Sequence, residues 1–403
     1  MSAPSAVART PTDPTRQARG WRLPFQLWFP LVVYGVARTI GAAYLIAAAT
    51  PAHRTGYGDL ATAWDGGWYR IIANSGYPSS LPIGVDGAVQ QNPWAFSPGY
   101  PLMVRALMAI TGLDFSVVAP TLSLVLGAAA MVVIFALVER AVSRFAACAT
   151  VILSCTFMSA PALQIAYAES LALLLLASAL FLLRERRYIA VAALILALAL
   201  TRPVVLAFIP VVIAHAVGRW RGRAADPFPV RDQRAVAILA GWCLAATGLW
   251  PVIVAVGNRD LLAWTKAHEA WRTELQFAPG MGWPTTFLTS YGWPALVLLA
   301  VVVLLTLGIA VRPDAKAWGP ELRCWSVAYP AFLLLATVPG PSVIRWLLLA
   351  FPLMWPFPEA AATPSERRFR VIFIAVLAVL GLAMQWVWIS TFLGATPPSE
   401  RFP

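Results

Sequence analysis

The chain has 403 residues, 60% of them apolar and only 12% charged, with 18 Trp and a formal net charge of +12. A soluble domain carries roughly 45–50% apolar residues. The excess here is gathered into runs such as 171–183, 190–200 and 295–311, which approach or reach the ~20 residues that cross a bilayer, so an aqueous globular protein is excluded.

In chain order, residues 1–22 are polar, Pro-rich and basic, and no small-residue cleavage site follows a short apolar core. They read as a disordered cytoplasmic tail before a retained first helix. The first span is expected at 24–49 and carries Arg38 near its middle, for which the sequence names no partner. Residues 50–97 are polar and dense in Trp, Tyr, Asp, Gly and Pro, and 98–112 are moderately apolar. Spans then follow near 116–138, 145–162, 165–183, 188–201, 203–217, 236–256, 287–311, 324–338, 342–357 and 371–393, so the fold class is all-α and polytopic, with about ten or eleven transmembrane helices.

The charge pattern orients this list. Arg140/Arg144, Arg184/Arg186/Arg187, Arg219/Arg221/Arg223, Arg231/Arg234, Arg312/Lys316/Arg323 and Arg367/Arg368/Arg370 occupy short intervals between spans, and Arg9, Arg16, Arg19 and Arg22 precede the first. A positive-inside assignment accounts for them without a nucleic-acid partner. The first span then delivers 50–97 outside, and 98–112 must lie on the outer side as an interfacial or re-entrant helix. Residues 50–112 are thus the first extracytoplasmic loop, 23–396 one transmembrane domain, and 397–403 a short tail. The pair 188–201 and 203–217 is short for two crossings at 1.5 Å per residue. A tight turn at Thr201–Arg202–Pro203 would put Arg202 in the outer half of the membrane, where broken helices must line protein or a wet cavity. Cys148, Cys155, Cys243 and Cys324 lie in or beside apolar segments without metal spacing and read as packing.

Given this topology, Asp65, Glu169, Arg202, Lys266, His268, Glu269, Arg272 and Arg345 are left on the outer side. An ionisable group at membrane depth is costly and marks function by default. Carboxylates mixed with cations suit an anionic head group and an acid–base step. Plainer readings stand beside this one: Asp65 as the N-cap of the helix that follows, Glu169 as a helix-tying partner of Arg202 or Arg345, and Lys266 and His268 as ordinary loop residues.

The stretch ATAWDGGWYRIIANSGYP at 61–78, followed by NPWAFSPGYPLMVR at 92–105, resembles the first luminal loop of the PIG-V-like mannosyltransferases, a group within the GT-C superfamily of membrane glycosyltransferases. The likeness extends to YAESLALLLLASALFLLRERR (167–187), LALALTRPVVLAFIP (196–210) and SVIRWLLLAFPLMW (342–355), and so covers most of the chain. It implies a GT-C-type fold with its site on the extracytoplasmic side of the cytoplasmic membrane; the abundance of Ala, Arg and Pro points to a bacterial source. The resemblance further implies a polyprenyl-phosphate-mannose donor lipid and a glycan, lipid or protein acceptor. Asp65 matches the family position of the catalytic base or metal-binding acid.

Many GT-C enzymes have an adjacent acidic pair here, whereas Asp65 is followed by Gly66 and Gly67, with Asp59 and Asp86 the nearest other acids. That favours a lone base and puts a metal-binding role in doubt; no cofactor is certain, and a divalent metal (Mg or Mn) stays open. The two glycines would permit close backbone approach and unusual dihedrals beside the acid. Arg202, Arg345, Lys266 and His268 would stabilise the leaving phosphate. Trp64, Trp68, Tyr69 and Tyr77 suit an interfacial aromatic belt, with Trp64 or Trp68 as the alternative stacking surface for a sugar. The competing class is a lipid or small-molecule transporter or flippase, which would show two related halves and polar groups at the midplane.

Overall fold

The computed structural model describes residues 24–49, 56–271, 280–355 and 363–394. The expected tails at 1–22 and 397–403, and Arg272, lie outside the described residues. The described chain is helical apart from loops and one isolated antiparallel bridge, Ile83 to Val89.

Helix α1 (Phe25–Ala49) leads into a cap of short helices: α2 (Tyr57–Ala61), α3 (Asp65–Ser75), a 3-10 turn (Pro93–Ala95) and α4 (Gly99–Thr111). The bundle continues with α5 (Phe115–Ala141), α6 (Arg144–Thr156), a 3-10 turn (Ala160–Gln164), α7 (Glu169–Arg184) and α8 (Tyr188–Ala199). A 3-10 turn (Val205–Phe208), α9 (Ile209–Arg221), α10 (Val230–Asn258), α11 (Ala263–Glu269), α12 (Gly282–Tyr291) and α13 (Trp293–Val311) follow. After a further 3-10 turn (Pro313–Trp318) come α14 (Gly319–Ala336), α15 (Pro341–Trp346), another 3-10 stretch (Leu347–Met354) and α16 (Pro364–Trp388), which ends in a π-turn (Ile389–Leu393).

Among the described residues, five helices are long and apolar enough to cross a membrane: α1, α5, α10, α13, and α16 with its π-turn. This is a membrane protein. The other expected spans are shorter or interrupted. In particular, the two predicted near 145–162 and 165–183 are α6 and α7, separated by an irregular stretch at 157–168 that is buried from Ser159 onward. Helix α7 packs between α5 and α8 and is buried along most of its length.

Irregular backbone inside an apolar bundle must find hydrogen-bond partners nearby. Here the side chains of the surrounding helices supply them. Tyr34 of α1 donates to the Leu163 carbonyl at 2.8 Å, Tyr57 of α2 to Gln164 at 2.9 Å, and Ser123 of α5 to Tyr167 at 3.2 Å. Gln385 of α16 donates to the carbonyls of Cys155 and Phe157, both at 3.1 Å. Arg38, unexplained by sequence, belongs to this set. Its two terminal nitrogens donate to Ala160 at 2.5 Å and Cys155 at 2.7 Å, so one fork closes the end of α6 and the turn beyond it. Small residues allow the helices to come this close: a Cβ on Gly127 would lie 2.3 Å from the Tyr34 hydroxyl, and one on Gly381 would lie 2.3 Å from the Thr156 carbonyl.

The basic intervals gather at one end of the bundle. Arg140 pairs with Glu185 at 2.7 Å, Arg184 with Glu321 at 3.0 Å, and Arg219 with Asp226 at 3.1 Å, while Arg186 also meets Asp226. Fifteen residue steps of α7, roughly 22 Å, separate this end from Glu169.

Replacing Arg38 by Leu removes both donors while the carbonyls stay buried, so the detergent-solubilised protein should lose about 1–3 kcal/mol. Arg38→Lys should recover only part of this, because it keeps the charge without the fork. Thermal melting of the purified variants measures both; a Leu variant as stable as wild type would remove Arg38 from this role.

Candidate active site

Four ionisable side chains from distant parts of the sequence meet at the other end of the bundle. Arg345 divides its fork between two carboxylates, Nη1 donating to Glu169 Oε1 at 2.6 Å and Nη2 to Asp65 Oδ2 at 2.5 Å. Arg202 reaches the same Glu169 oxygen. The cluster therefore holds two acids and two permanent cations in a chain, Asp65–Arg345–Glu169–Arg202. Its exposure is graded: the Glu169 side chain is 0% accessible, Arg345 4%, Arg202 12% and Asp65 20%. Asp65 is the more open of the two carboxylates.

Local backbone sets each member. Asp65 and Glu169 are the first residues of α3 and α7, so both carboxylates lie at the positive end of a helix. Asp65 does not cap α3: the N-cap position is Trp64, and no side-chain cap bond forms there. Arg202 comes from the turn that ends α8, as the short pair of predicted spans required. Its amide donates to the Leu198 carbonyl at 2.8 Å, and the Gly99 amide at the start of α4 holds the Leu200 carbonyl at 2.6 Å. Arg345 lies in α15, whose Ile344 carbonyl accepts from Ser159 at 2.9 Å.

The unusual backbone beside Asp65 is not at the glycines. Gly66 and Gly67 are helical, and the positive φ falls on Trp64 (φ 54°, ψ −117°). A non-glycine residue there costs on the order of 1–3 kcal/mol. The Trp64 indole donates to the Leu393 carbonyl at 3.2 Å, joining the start of α3 to the end of α16. Close approach is real, but only at Gly66. An added Cβ there would sit 3.3 Å from the Ala166 Cβ, whereas at Gly67 nothing lies within 4 Å. The contact is locked by the Ala166 amide, which donates to the Ala61 carbonyl at 2.7 Å.

Around the ions are aromatic walls. The Arg345 guanidinium lies 4.7 Å from the Tyr167 ring centroid, and Trp346 stands 6.0 Å from Arg345 and 5.8 Å from Arg202. These two residues, with Ser342, whose hydroxyl is 3.4 Å from Arg345 Nη2, are not among the residues expected from sequence. Their adjacency to Glu169 and Arg345 in the YAES and SVIRW blocks was the available signal. Several buried polar atoms here have no hydrogen-bond partner among the described residues: Glu169 Oε2, Arg202 Nε and Trp346 Nε1.

The remaining expected residues take other places. Tyr69 is buried edge-on to Phe96 and Tyr100 at 5.4 and 5.2 Å, and burial pushes its phenol pKa up. Trp68 stacks on Phe96 at 6.0 Å and meets Trp271 edge-on at 5.3 Å, making an aromatic surface on α3 one turn from Asp65. Tyr77 packs between Trp94 and Trp250 and donates to the Phe96 carbonyl at 2.9 Å. Lys266 is engaged by Asp260 at 2.7 Å, and that ammonium holds the Asp260 carboxyl below its usual range. His268 donates from Nδ1 to the Trp264 carbonyl at 2.8 Å, with the two rings 4.2 Å apart.

A divalent cation does not fit this donor set. Both carboxylates are turned onto one guanidinium, and no group of three or more His, Cys, Asp or Glu side chains suited to a metal occurs among the described residues. The arrangement can instead bind an anion in exchange for a carboxylate and present that carboxylate to a proton donor.

No family model matches the chain, and no curated protein matches it. Among solved structures it is similar to the archaeal oligosaccharyltransferase AglB from Archaeoglobus fulgidus in complex with an inhibitory peptide and a dolichol-phosphate. The identity is 12% and the TM-score 0.45, over 94% of this chain and 57% of that one. It is also similar to the Archaeoglobus fulgidus oligosaccharyltransferase in complex with Zn and sulfate (13% identity, TM-score 0.48, 91% and 54% covered) and in the apo form (13%, 0.46, 93% and 57%). The chain spans little more than half the length of these structures.

The glycines give a direct check on how α3 is seated. Gly66→Ala should cost about 1–2 kcal/mol by overpacking against Ala166, while Gly67→Ala should be neutral or up to ~1 kcal/mol stabilising. Melting curves of the two variants compare them. Equal behaviour would mean that the α3 contact with 165–168 does not govern its position.

Proposed function

We propose that the protein is a GT-C-type glycosyltransferase that moves a mannosyl residue from a polyprenyl-phosphate donor to a glycan, lipid or protein acceptor on the extracytoplasmic face of the cell membrane. One observation carries this reading. Each of four sequence blocks, WDGG, YAES, LTRP and SVIRW, contributes one charged side chain, and the four side chains form a single hydrogen-bonded chain. Lipid packing alone gives no reason for segments so far apart to meet in this way.

The chemistry follows from the graded exposure. Asp65, the more open acid, accepts the proton of the acceptor hydroxyl as that oxygen attacks the anomeric carbon. The bond from this carbon to the phosphate oxygen breaks, and its electron pair leaves with the polyprenyl phosphate. Attack opposite the leaving group inverts the configuration. Charge builds on the phosphate as the bond breaks, so a guanidinium placed there is worth more in the transition state than in the ground state.

In the resting arrangement both ends of the Arg345 fork are on carboxylates. Donor phosphate must therefore displace one of them, and Asp65 is the one that solvent can reach. Arg345 then passes from Asp65 to the phosphate, with Arg202 beside it, while the buried Glu169 keeps both arginines aimed. Asp65, released from its ion pair, is then free to accept from the acceptor hydroxyl. Trp68 and its aromatic neighbours offer a stacking face for a sugar one helical turn away.

Membranes bearing the wild type should transfer radiolabelled mannose from polyprenyl-phosphate-mannose, and Asp65→Asn should lower that rate by about 10²–10⁴-fold with its melting temperature little changed. Equal transfer by the two would take Asp65 out of the chemistry. No transfer by either, with suitable acceptors supplied, would count against the donor sugar first and then for a transporter.

A further inference from the structure

The opposite end of the bundle carries a second feature, independent of the reading above. Helices α9, α13 and α14 enclose a groove of about 320 Å³, at the small end of ligand-sized pockets (~300–1,000 Å³). Its wall is apolar, built from Ala214, Val217, Ala310 and Val327, and its lining contains two cations, Arg221 and Arg323, and no acid. The floor is close-packed because Gly218 faces Pro320: a Cβ on Gly218 would come within 2.9 Å of the Pro320 ring.

Both cations are available. Arg323 is steadied by one bond, from Nε to the Ala310 carbonyl at 3.0 Å at the end of α13, and neither arginine has an acidic partner among the described residues. Glu321, close along α14, belongs to the adjoining cavity, where Arg184 and His215 engage it at 3.0 and 2.7 Å.

The level of the groove in the membrane can also be placed. Helix α13 has 19 apolar-rich residues, long enough to cross a membrane, and leaves most of its surface unburied. Ala310 and Val311, at its last turn, line the groove, which puts the groove at one edge of the hydrocarbon layer. Trp220, 54% exposed and 3.9 Å beneath the Arg223 guanidinium, marks the same edge as an interfacial tryptophan does.

We infer that this groove holds one anionic phospholipid, its phosphate on Arg221 and Arg323 and its acyl chains against the apolar wall and α13. The volume suits a head group and glycerol, with the chains continuing into the bilayer. Charge selects the lipid class. Two arginines with no acid between them favour a net negative head group and disfavour a zwitterionic one, whose ammonium would face the same two cations.

The test is native mass spectrometry of the full chain in a neutral detergent, titrated in parallel with phosphatidylglycerol and phosphatidylethanolamine. Wild type should hold one phosphatidylglycerol selectively. The Arg221→Ala/Arg323→Ala variant should bind it about thirtyfold more weakly, from roughly 1 kcal/mol per arginine at an anionic lipid, with its melting in lipid-free detergent unchanged. Arg231→Ala/Arg234→Ala, which removes equal charge nearby outside the groove, should leave binding intact. If the groove variant does not fold, Arg221→Lys/Arg323→Lys takes its place and should weaken binding several-fold through loss of the fork. Equal binding of the two lipids, equal loss in the control variant, or no loss in the groove variant would each overturn the site.

Discussion

A polypeptide in lipid must satisfy its own backbone, and most of this structure can be traced to one place where a helix does not do so. Between α6 and α7 the chain leaves α-helical geometry at 157–168, with one 3-10 turn at Ala160–Gln164, and stays buried from Ser159 onward. Each carbonyl exposed by the break would cost several kcal/mol without a partner. The side chains that supply donors come from α1, α2, α5 and α16, so the break becomes the point to which those four helices are tied. A continuous helix would have needed none of these bonds. It would also have carried Tyr167 and Glu169 elsewhere, because their position follows from where α7 restarts.

The ion cluster stands on that restart. Buried charges are tolerated only when they are paired with good geometry, and removing one partner of such a pair is strongly destabilising. Glu169 accepts from two arginines through one oxygen while its other oxygen has no partner. This is an incomplete network, and an incomplete network is a poor way to stabilise a fold. Arg202 Nε and Trp346 Nε1 are likewise without a hydrogen-bond partner among the described residues.

Much of this was legible in the sequence. The apolar runs pointed to a polytopic all-α protein, and of the basic intervals, the ion pairs of Arg140, Arg184 and Arg219 lie at one end. The residues Asp65, Glu169, Arg202 and Arg345 were each visible as ionisable groups in otherwise apolar or aromatic settings. What the sequence does not encode locally is pairing. Arg38 looked like the rest of this set, yet its partners are main-chain carbonyls more than a hundred residues away, and a carbonyl has no signature in a sequence. Lys266 shows the converse: its partner Asp260 lies a few residues before it and engages it at 2.7 Å. A break between two spans was expected near 163–164, but its extent over 157–168 and its burial were hidden, because a buried stretch between helices uses the same apolar residues as a buried helix.

The glycines beside Asp65 carry the argument one step further. A Gly-Gly pair after an acid reads as a licence for odd dihedrals, but the strain was found on Trp64, where a glycine would have relieved it. A bulky residue held at φ 54° has to be fixed by its surroundings, and the Trp64 indole is fixed by the Leu393 carbonyl at the end of α16. Gly66 meanwhile presses α3 onto Ala166. Asp65 is therefore clamped between a strained residue anchored to the last helix and a tight contact anchored to the helix break. Its main chain is held on both sides, whereas its side chain is partly open to solvent. If an arriving anion draws Arg345 away, the carboxylate is left free while the backbone beneath it stays in place. Separating a rigid backbone from a releasable side chain is what a group needs in order to change partner without losing aim.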